Sequence, residues 1–245
     1  MENKFNIAVL IDGDNAQPSL IKEIIEEVSK YGKATIRRIY GDWTSQQMNG
    51  WKSVINQQSI SPIQKFSYTT GKNSTDGSLI IDAMDILHAK QIDGFCIVSS
   101  DSDYTGLAKR IREEGLFVMG IGEKKTPEAF VKSCEIFTFT ENLKLDSTTN
   151  KETVKNKVSS KEVGQKTKLS KRDLETIDKA FEISTNEDEN VHISKVGLNI
   201  RKIDPSFDPR SYGFKNLTKL FEFIDNYEVI NNEIGGLNHP LLKKK

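Results

Sequence analysis

Carboxylates stand at three widely separated places where an apolar run stops or a helical pattern starts. Asp12 closes the run in IAVLIDGDNAQ and is followed by Gly13, Asp14 and Asn15. Asp101 and Asp103 follow the run in FCIVSSDSDY, and Asp76 opens the helical pattern in TTGKNSTDGSLII. Ionised carboxylates converging on one partly desolvated cleft repel each other, which raises pKa values or disrupts packing. A divalent cation removes that conflict. Mg²⁺ and Mn²⁺ prefer hard oxygen ligands, commonly one or two carboxylates completed by water and substrate phosphate. No His or Cys ligand set accompanies the acids, which argues against zinc. The chemistry outlined is metal-assisted handling of phosphate, with Asp101 and Asp103 helping to hold the ion.

Each acid alone has a plainer reading. Asp76 fits a helix cap, Asp103 a first-turn acid that suits the helix dipole, and Asp14 with Asn15 a turn. Asp82, six residues after Asp76 and about 120° around the helix, shares a polar face with Ser78 and Asp85 and is expected to meet solvent. The set as a whole is what points to a site.

The elements that must position these residues alternate in period. Strand-length apolar runs (FNIAVLI, ATIRRIY, FCIVSS, LFVMGIG, IFTF) are separated by segments with 3.6-residue spacing, notably SLIKEIIEEVSKY, SLIIDAMDILHAK and YTGLAKRIREEG. Such alternation implies right-handed crossovers and a mostly parallel sheet with helices on both faces, an α/β fold. In such folds ligands bind at the carboxyl ends of strands. Asp12, Asp76, Asp101 and Asp103 are all expected at that rim. Lys72, Lys109 and Arg110 border it as candidate phosphate contacts or as ordinary surface charge. Tyr40 and Trp43 either stack on bases there or pack in the core.

The 245 residues, 36% apolar and 29% charged, suffice for one full-sized domain and a smaller one. MENKFNIAVLIDG shows no basic, apolar and small-residue leader, and no apolar run approaches the roughly 18 residues of a membrane helix, so a cytoplasmic protein without a membrane partner is expected. Cys96 and Cys134 lie inside apolar segments without a CxxC partner and read as buried thiols. Lys plus Arg against Asp plus Glu is 16 to 19 over residues 1–142, 7 to 3 over 143–168 and 12 to 13 over 169–245. The basic middle piece has no aromatic residue and few large apolar ones, so it reads as a flexible linker between two domains.

Several phosphate chemistries fail on their motifs. KFSYTTGKNST lacks the first glycine of a P-loop and carries Asn73 after Lys72, while GIGEKK places Lys125 where a dinucleotide fingerprint needs glycine. No G-x-S-x-G elbow offers an acyl nucleophile. IDGDN is similar to the Asp-x-Asp strand end of haloacid dehalogenase-like phosphatases, but Ala16 stands where that family usually has Thr or Val, and SSDSDY lacks its later Gly-Asp.

Four stretches in order, LIDGDNA (10–16), GKNSTDGSLIIDAMD (71–85), VSSDSDYTGLAKRIREEG (98–115) and FVMGIG (117–122), resemble the NYN group of PIN-like domains, including the LabA-like bacterial proteins. The resemblance spans residues 4–140. It implies a metal-dependent ribonuclease using Mg²⁺ or Mn²⁺, with metal-site and catalytic roles for Asp12, Asp76, Asp101 and Asp103, and Asn15 orienting ligands or water. Ser102 and Tyr104 depart from the Gly and Phe that the group often shows. A noncatalytic RNA-binding regulator that retains the acids is the alternative.

Residues 169–245 carry three helical patterns, then the strands YEVI and HPLL, the plan of a winged helix. The stretch PRSYGFKNLTKLFEFIDNYEVI resembles the OST-HTH, or LOTUS, domain, which implies binding of RNA or of a protein partner. Lys195, Arg201, Lys202, Arg210, Lys215 and Lys219 surround its recognition region as candidate phosphate contacts.

Overall fold

The structure is a computed structural model and describes residues 5–66, 74–144, 169–185 and 190–245. The chain divides into two compact units, Met1–Thr153 and Val154–Lys245.

The first unit is built on β1 (Asn6–Asp12), whose residues from Ile7 onward are all buried. Successive side chains leave opposite faces of a strand, so Ala8 and Leu10 enter one core while Ile7, Val9 and Ile11 enter another. A strand covered on both faces reads as the unbroken apolar run seen in the sequence. Each of the larger side chains among them, Ile7, Val9, Leu10 and Ile11, contributes about 1.5–3 kcal/mol by leaving water.

From β1 the chain first moves one way. The helix α1 (Ile21–Ser29) leads to β2 (Lys33–Gly41), and α2 (Lys52–Gln58) leads to β3 (Ser61–Gln64). It then crosses back. The helix α3 (Ser74–His88) carries it to β4 (Gly94–Val98), α4 (Thr105–Glu113) to β5 (Phe117–Gly122), and α5 (Glu128–Ser133) to β6 (Ile136–Phe139). The sheet order is β3-β2-β1-β4-β5-β6, with every neighbouring pair parallel. Right-handed crossovers in opposite directions put the helices on opposite faces. Ile24 of α1 and Ile55 of α2 pack with Val9, whereas Leu79 of α3, Leu107 of α4 and Phe130 of α5 pack with Leu10. The reversal falls between β1 and β4, the topological switch point where such sheets open a crevice beyond their carboxyl ends.

The strand β3 was not foreseen. Its sequence, SPIQ, is short and mostly exposed, and Pro62 removes a donor, which only an edge strand tolerates. Leu143, expected in the linker, is instead buried in the α1-side core at the end of a helical turn over 140–144. The packed body therefore extends past 142, and the rest of the expected linker, 145–168, lies outside the described residues.

The second unit opens with α6 (Lys171–Ser184), held at its start by a capping box: Ser170 Oγ accepts the Asp173 amide at 3.2 Å, and Asp173 accepts the Ser170 amide at 2.8 Å. A short strand, β7 (Asn190–His192), leads into α7 (Ile193–Ile203). Ile177, Ala180 and Phe181 of α6 share a core with Val196 and Ile200 of α7. Gly213, at φ 81°, adopts the left-handed backbone that lets Phe214 turn into this core ahead of α8 (Leu217–Phe221). The strands β8 (Tyr227–Ile230) and β11 (Leu241–Lys244) form an antiparallel sheet with β7 in the order β7-β11-β8. Between them, β9 (Glu233–Ile234) and β10 (Leu237–Asn238) pair as a hairpin turned by Gly235 and Gly236, both at positive φ. Three helices with this small sheet and hairpin form the expected winged helix.

Candidate metal centre

The end of β1 brings Asp12 to the switch point, fully buried. The turn that follows is tight because Gly13 sits against β2: a side chain there would approach Met48 Cε and the Tyr40 carbonyl to 2.7 Å. Three donors converge on the Asp12 carboxylate. The Asp14 amide donates to Oδ1 at 3.1 Å, while Asn15 Nδ2 at 2.7 Å and Ser99 Oγ at 2.9 Å donate to Oδ2. Burial nevertheless raises the pKa of Asp12, with these hydrogen bonds opposing the rise and Asp14 adding to it.

Ser99 couples the two central strands. Its hydroxyl donates to Asp12 and accepts the Asp101 amide at 3.1 Å, so the first residue past β4 is held in register with the end of β1. Asp101 then caps the turn of 3₁₀ helix at Ser102–Tyr104, accepting the Asp103 amide at 2.9 Å. The capping role that the sequence allowed Asp76 belongs to Asp101. Asp76 lies instead inside the first turn of α3, where its Oδ1 accepts the Tyr104 hydroxyl at 2.7 Å. Thr75, its neighbour, donates to Asp14 Oδ2 at 2.9 Å and ties the start of α3 to the β1 loop. Asp14 is thus more than a turn residue.

These ties bring Asp76, Asp101 and Asp103 together, one carboxylate oxygen of each within 4.8 Å of the others. Asp12 is not a member of that group: it lies deeper, engaged by Ser99, Asn15 and the Asp14 amide. It is close enough to be felt. Desolvation is the chief cause of a raised Asp76 pKa, and repulsion from Asp12, Asp101 and Asp103 adds to it, against the lowering effect of the Tyr104 hydroxyl. Burial and both Asp12 and Asp76 push the Tyr104 pKa up, so its hydroxyl keeps its proton and remains a donor.

The donor set fits a hard divalent ion. An octahedral Mg²⁺ at about 2.1 Å from each ligand spans roughly 3–4 Å between oxygens, a small contraction from the 4.8 Å limit here. The carboxylates stand close enough to repel one another, and Asp12, Asp101 and Asp103 each add to the rise in the Asp76 pKa. The first turns of α3 and α4 add positive dipole ends nearby.

The basic and aromatic neighbours divide. Lys109 is exposed on α4. Arg110 is committed to Glu114 at 2.5 Å and Glu113 at 3.5 Å, in the last turn of α4 rather than at its start. Lys72 lies outside the described residues. Tyr40 is fully buried and packs in the α3-side core, which excludes base stacking; Trp43 is half-buried, its indole donating to the Ile63 carbonyl at 3.0 Å. Asp82 does not simply face water. It accepts hydrogen bonds from both Arg38 and Tyr40, fastening α3 to β2 two turns below Asp76. In the second unit, Arg210 grips Asp208 at 2.6 Å and Lys219 pairs with Glu222 at 2.6 Å, leaving Lys195, Lys202 and Lys215 as exposed cations of the set named above.

Ser99 and Tyr104 are the contributors that sequence reasoning missed. Both lie within SSDSDY, but a hydroxyl at a strand end carries no sign of which distant carboxylate it meets.

No curated protein matches the chain. A crystal structure of a protein of unknown function from Vibrio parahaemolyticus is similar, with 16% identity, 56% of this chain and 93% of that one covered, and a TM-score of 0.48. The OST-HTH/LOTUS domain model matches residues 169–239. Among the described residues no helix is long and apolar enough to cross a membrane. The NYN domain model matches residues 6–144, more than half of the chain and the whole of the sheet that carries the acidic cluster, and the protein therefore belongs to the NYN family.

Proposed function

We propose that the protein is a metal-dependent endoribonuclease whose winged-helix unit brings RNA, or a protein that carries RNA, to the acidic site. Its pairing of an NYN with an OST-HTH/LOTUS domain supports a ribonuclease or RNA-binding role at the coarser level. The observation that carries the finer reading is the convergence of Asp76, Asp101 and Asp103, from two separate segments, at the switch point of a parallel sheet.

In this reading Asp76, Asp101 and Asp103 hold Mg²⁺ or Mn²⁺, and Asp12 supplies charge from behind them. The ion, when bound, lowers the pKa of a water and offsets charge on the phosphodiester. The chain's own residues set the geometry. Asn15 and Ser99 fix Asp12, Ser99 also fixes the Asp101 backbone, and Tyr104 fixes Asp76. Lys109, exposed four residues past the start of α4, is assigned to the RNA backbone, with Lys72 ahead of α3 as its counterpart. The guanidinium of Arg110 is held by two glutamates and is assigned no such contact. A phosphatase using Asp12 as nucleophile is disfavoured, because that carboxylate is buried and accepts three hydrogen bonds.

The test is cleavage of labelled single-stranded RNA with Mn²⁺ by the intact protein and by Asp101→Asn. Metal-dependent cleavage lost in the variant supports the enzyme. RNA binding without cleavage in both points to the regulator.

A further inference from the structure

Tyr104 occupies a position whose side chain is otherwise pure core. Its ring is 0% exposed and lies among Leu79, Ala83, Leu107 and Phe130, with the Phe130 ring centroid 6.3 Å away and Phe130 packed edge-on against Phe137 in turn. A phenylalanine would fill the same space. What the tyrosine adds is one oxygen, and the structure spends it at the acidic cluster, 2.7 Å from Asp76 Oδ1 and near Asp12. The packed ring leaves that oxygen little freedom.

We propose that Tyr104 is a positioning residue for the metal centre: its buried hydroxyl clamps Asp76, fixing one carboxylate oxygen so that the other faces Asp101 and Asp103. The inference rests on the metal-binding reading above. Asp76 enters from α3, whereas Tyr104 belongs to the same turn as Asp101 and Asp103, so the hydroxyl is a cross-link between the two segments that supply the cluster. Without it, Asp76 loses the donor that orients it and offsets repulsion from three neighbouring carboxylates. Partners that orient a ligand in this way are typically worth about 10–100-fold in metal affinity. Loss of the hydroxyl is therefore expected to weaken ion binding rather than relieve competition for Asp76.

The experiment is calorimetric titration of Mn²⁺ into the full chain and into Tyr104→Phe and Tyr104→Leu, with thermal melts of each in EDTA. The clamp requires both variants to lose about 10–100-fold in Mn²⁺ affinity, although only Tyr104→Leu gives up the ring and melts substantially earlier. A role for the ring alone gives the opposite pattern: Tyr104→Phe binds Mn²⁺ within twofold of the parent, and that result overturns the inference while leaving the metal site standing. Failure of the parent itself to bind Mn²⁺ overturns both.

Discussion

Replacing Asp76 by Asn tests whether the cluster is as crowded in solution as its geometry requires. The substitution is nearly isosteric, and the amide oxygen still accepts from Tyr104. It removes two of the three repulsive pairs among oxygens lying within 4.8 Å, together with the interaction with Asp12. Two unit charges at that distance repel by about 1 kcal/mol in a water-like medium and by roughly 3 kcal/mol at an effective dielectric constant near 20. Weakening the Tyr104 hydrogen bond from charged to neutral gives back about 1 kcal/mol. The metal-free variant is thus expected to be more stable at pH 7 by about 1–5 kcal/mol, a rise in Tm of roughly 3–15 °C for a unit of this size. Differential scanning calorimetry in EDTA measures it. The advantage depends on pH with a definite sign. Asp76 has a raised pKa, so the folded parent holds that proton more tightly than the unfolded chain; the stability tied to it is present at low pH and is lost as pH rises from the ordinary value of 3.8 through the raised one. The gap between variant and parent must therefore close on acidification towards pH 4. Added Mn²⁺ should raise the Tm of the parent and leave Asp76→Asn almost unmoved. A variant no more stable than the parent in EDTA would refute the crowding on which the metal reading depends.

Other perturbations probe the supports of the site. Asp82→Ala leaves the buried Tyr40 hydroxyl and the Arg38 guanidinium without their acceptor, and a loss of about 2 kcal/mol in urea unfolding is expected, with weaker Mn²⁺ binding because α3 is released from β2. Gly106, on the exposed first turn of α4 three residues past Asp103 and with open space where a side chain would go, is expected to gain about 0.5–1 kcal/mol on substitution by Ala yet lose kcat/KM on RNA; unchanged cleavage would show that substrate does not approach there. The thiols should be inert in the folded protein. Burial pushes Cys134 up to about 12 and Cys96 higher still, so a thiol reagent at pH 8 is expected to label neither until the protein unfolds.

The rim was legible because it follows from two periodicities and a crossover rule. Five of the six parallel strands announce themselves as apolar runs, and the acids stand at their ends or at the head of α3. The strand β3 escaped notice because an exposed edge strand need not bury a face, and α2 because its seven residues bury only Ile55. Depth along the rim was not legible either. Asp12 ends one buried strand and Asp101 follows another, but the first is engaged by Ser99 and the second caps an exposed turn. Asp101 accepts an amide two residues on, a local cap, whereas the hydroxyl that holds Asp12 comes from 87 residues away, which no local pattern encodes.

Asp82 makes the same point in reverse. Counting around a helix assigns it to a polar face, and the count is correct; what the count cannot contain is that β2 offers Arg38 and Tyr40 at the same height, so that the polar face meets a polar seam of the sheet rather than water. The consequence reaches the site. The helix α3 brings Asp76 against a field of like charge, a placement that local packing alone would resist, and it is held there at two levels: near the rim by Thr75 on Asp14 and Tyr104 on Asp76, and two turns lower by the Asp82 bonds. Two attachments along one rigid helix fix both its tilt and its rotation. A repulsive cluster can persist in a folded chain when the elements carrying it are anchored outside it, and the hydroxyls of Thr75, Ser99 and Tyr104 are the short links that transmit this anchoring to the carboxylates.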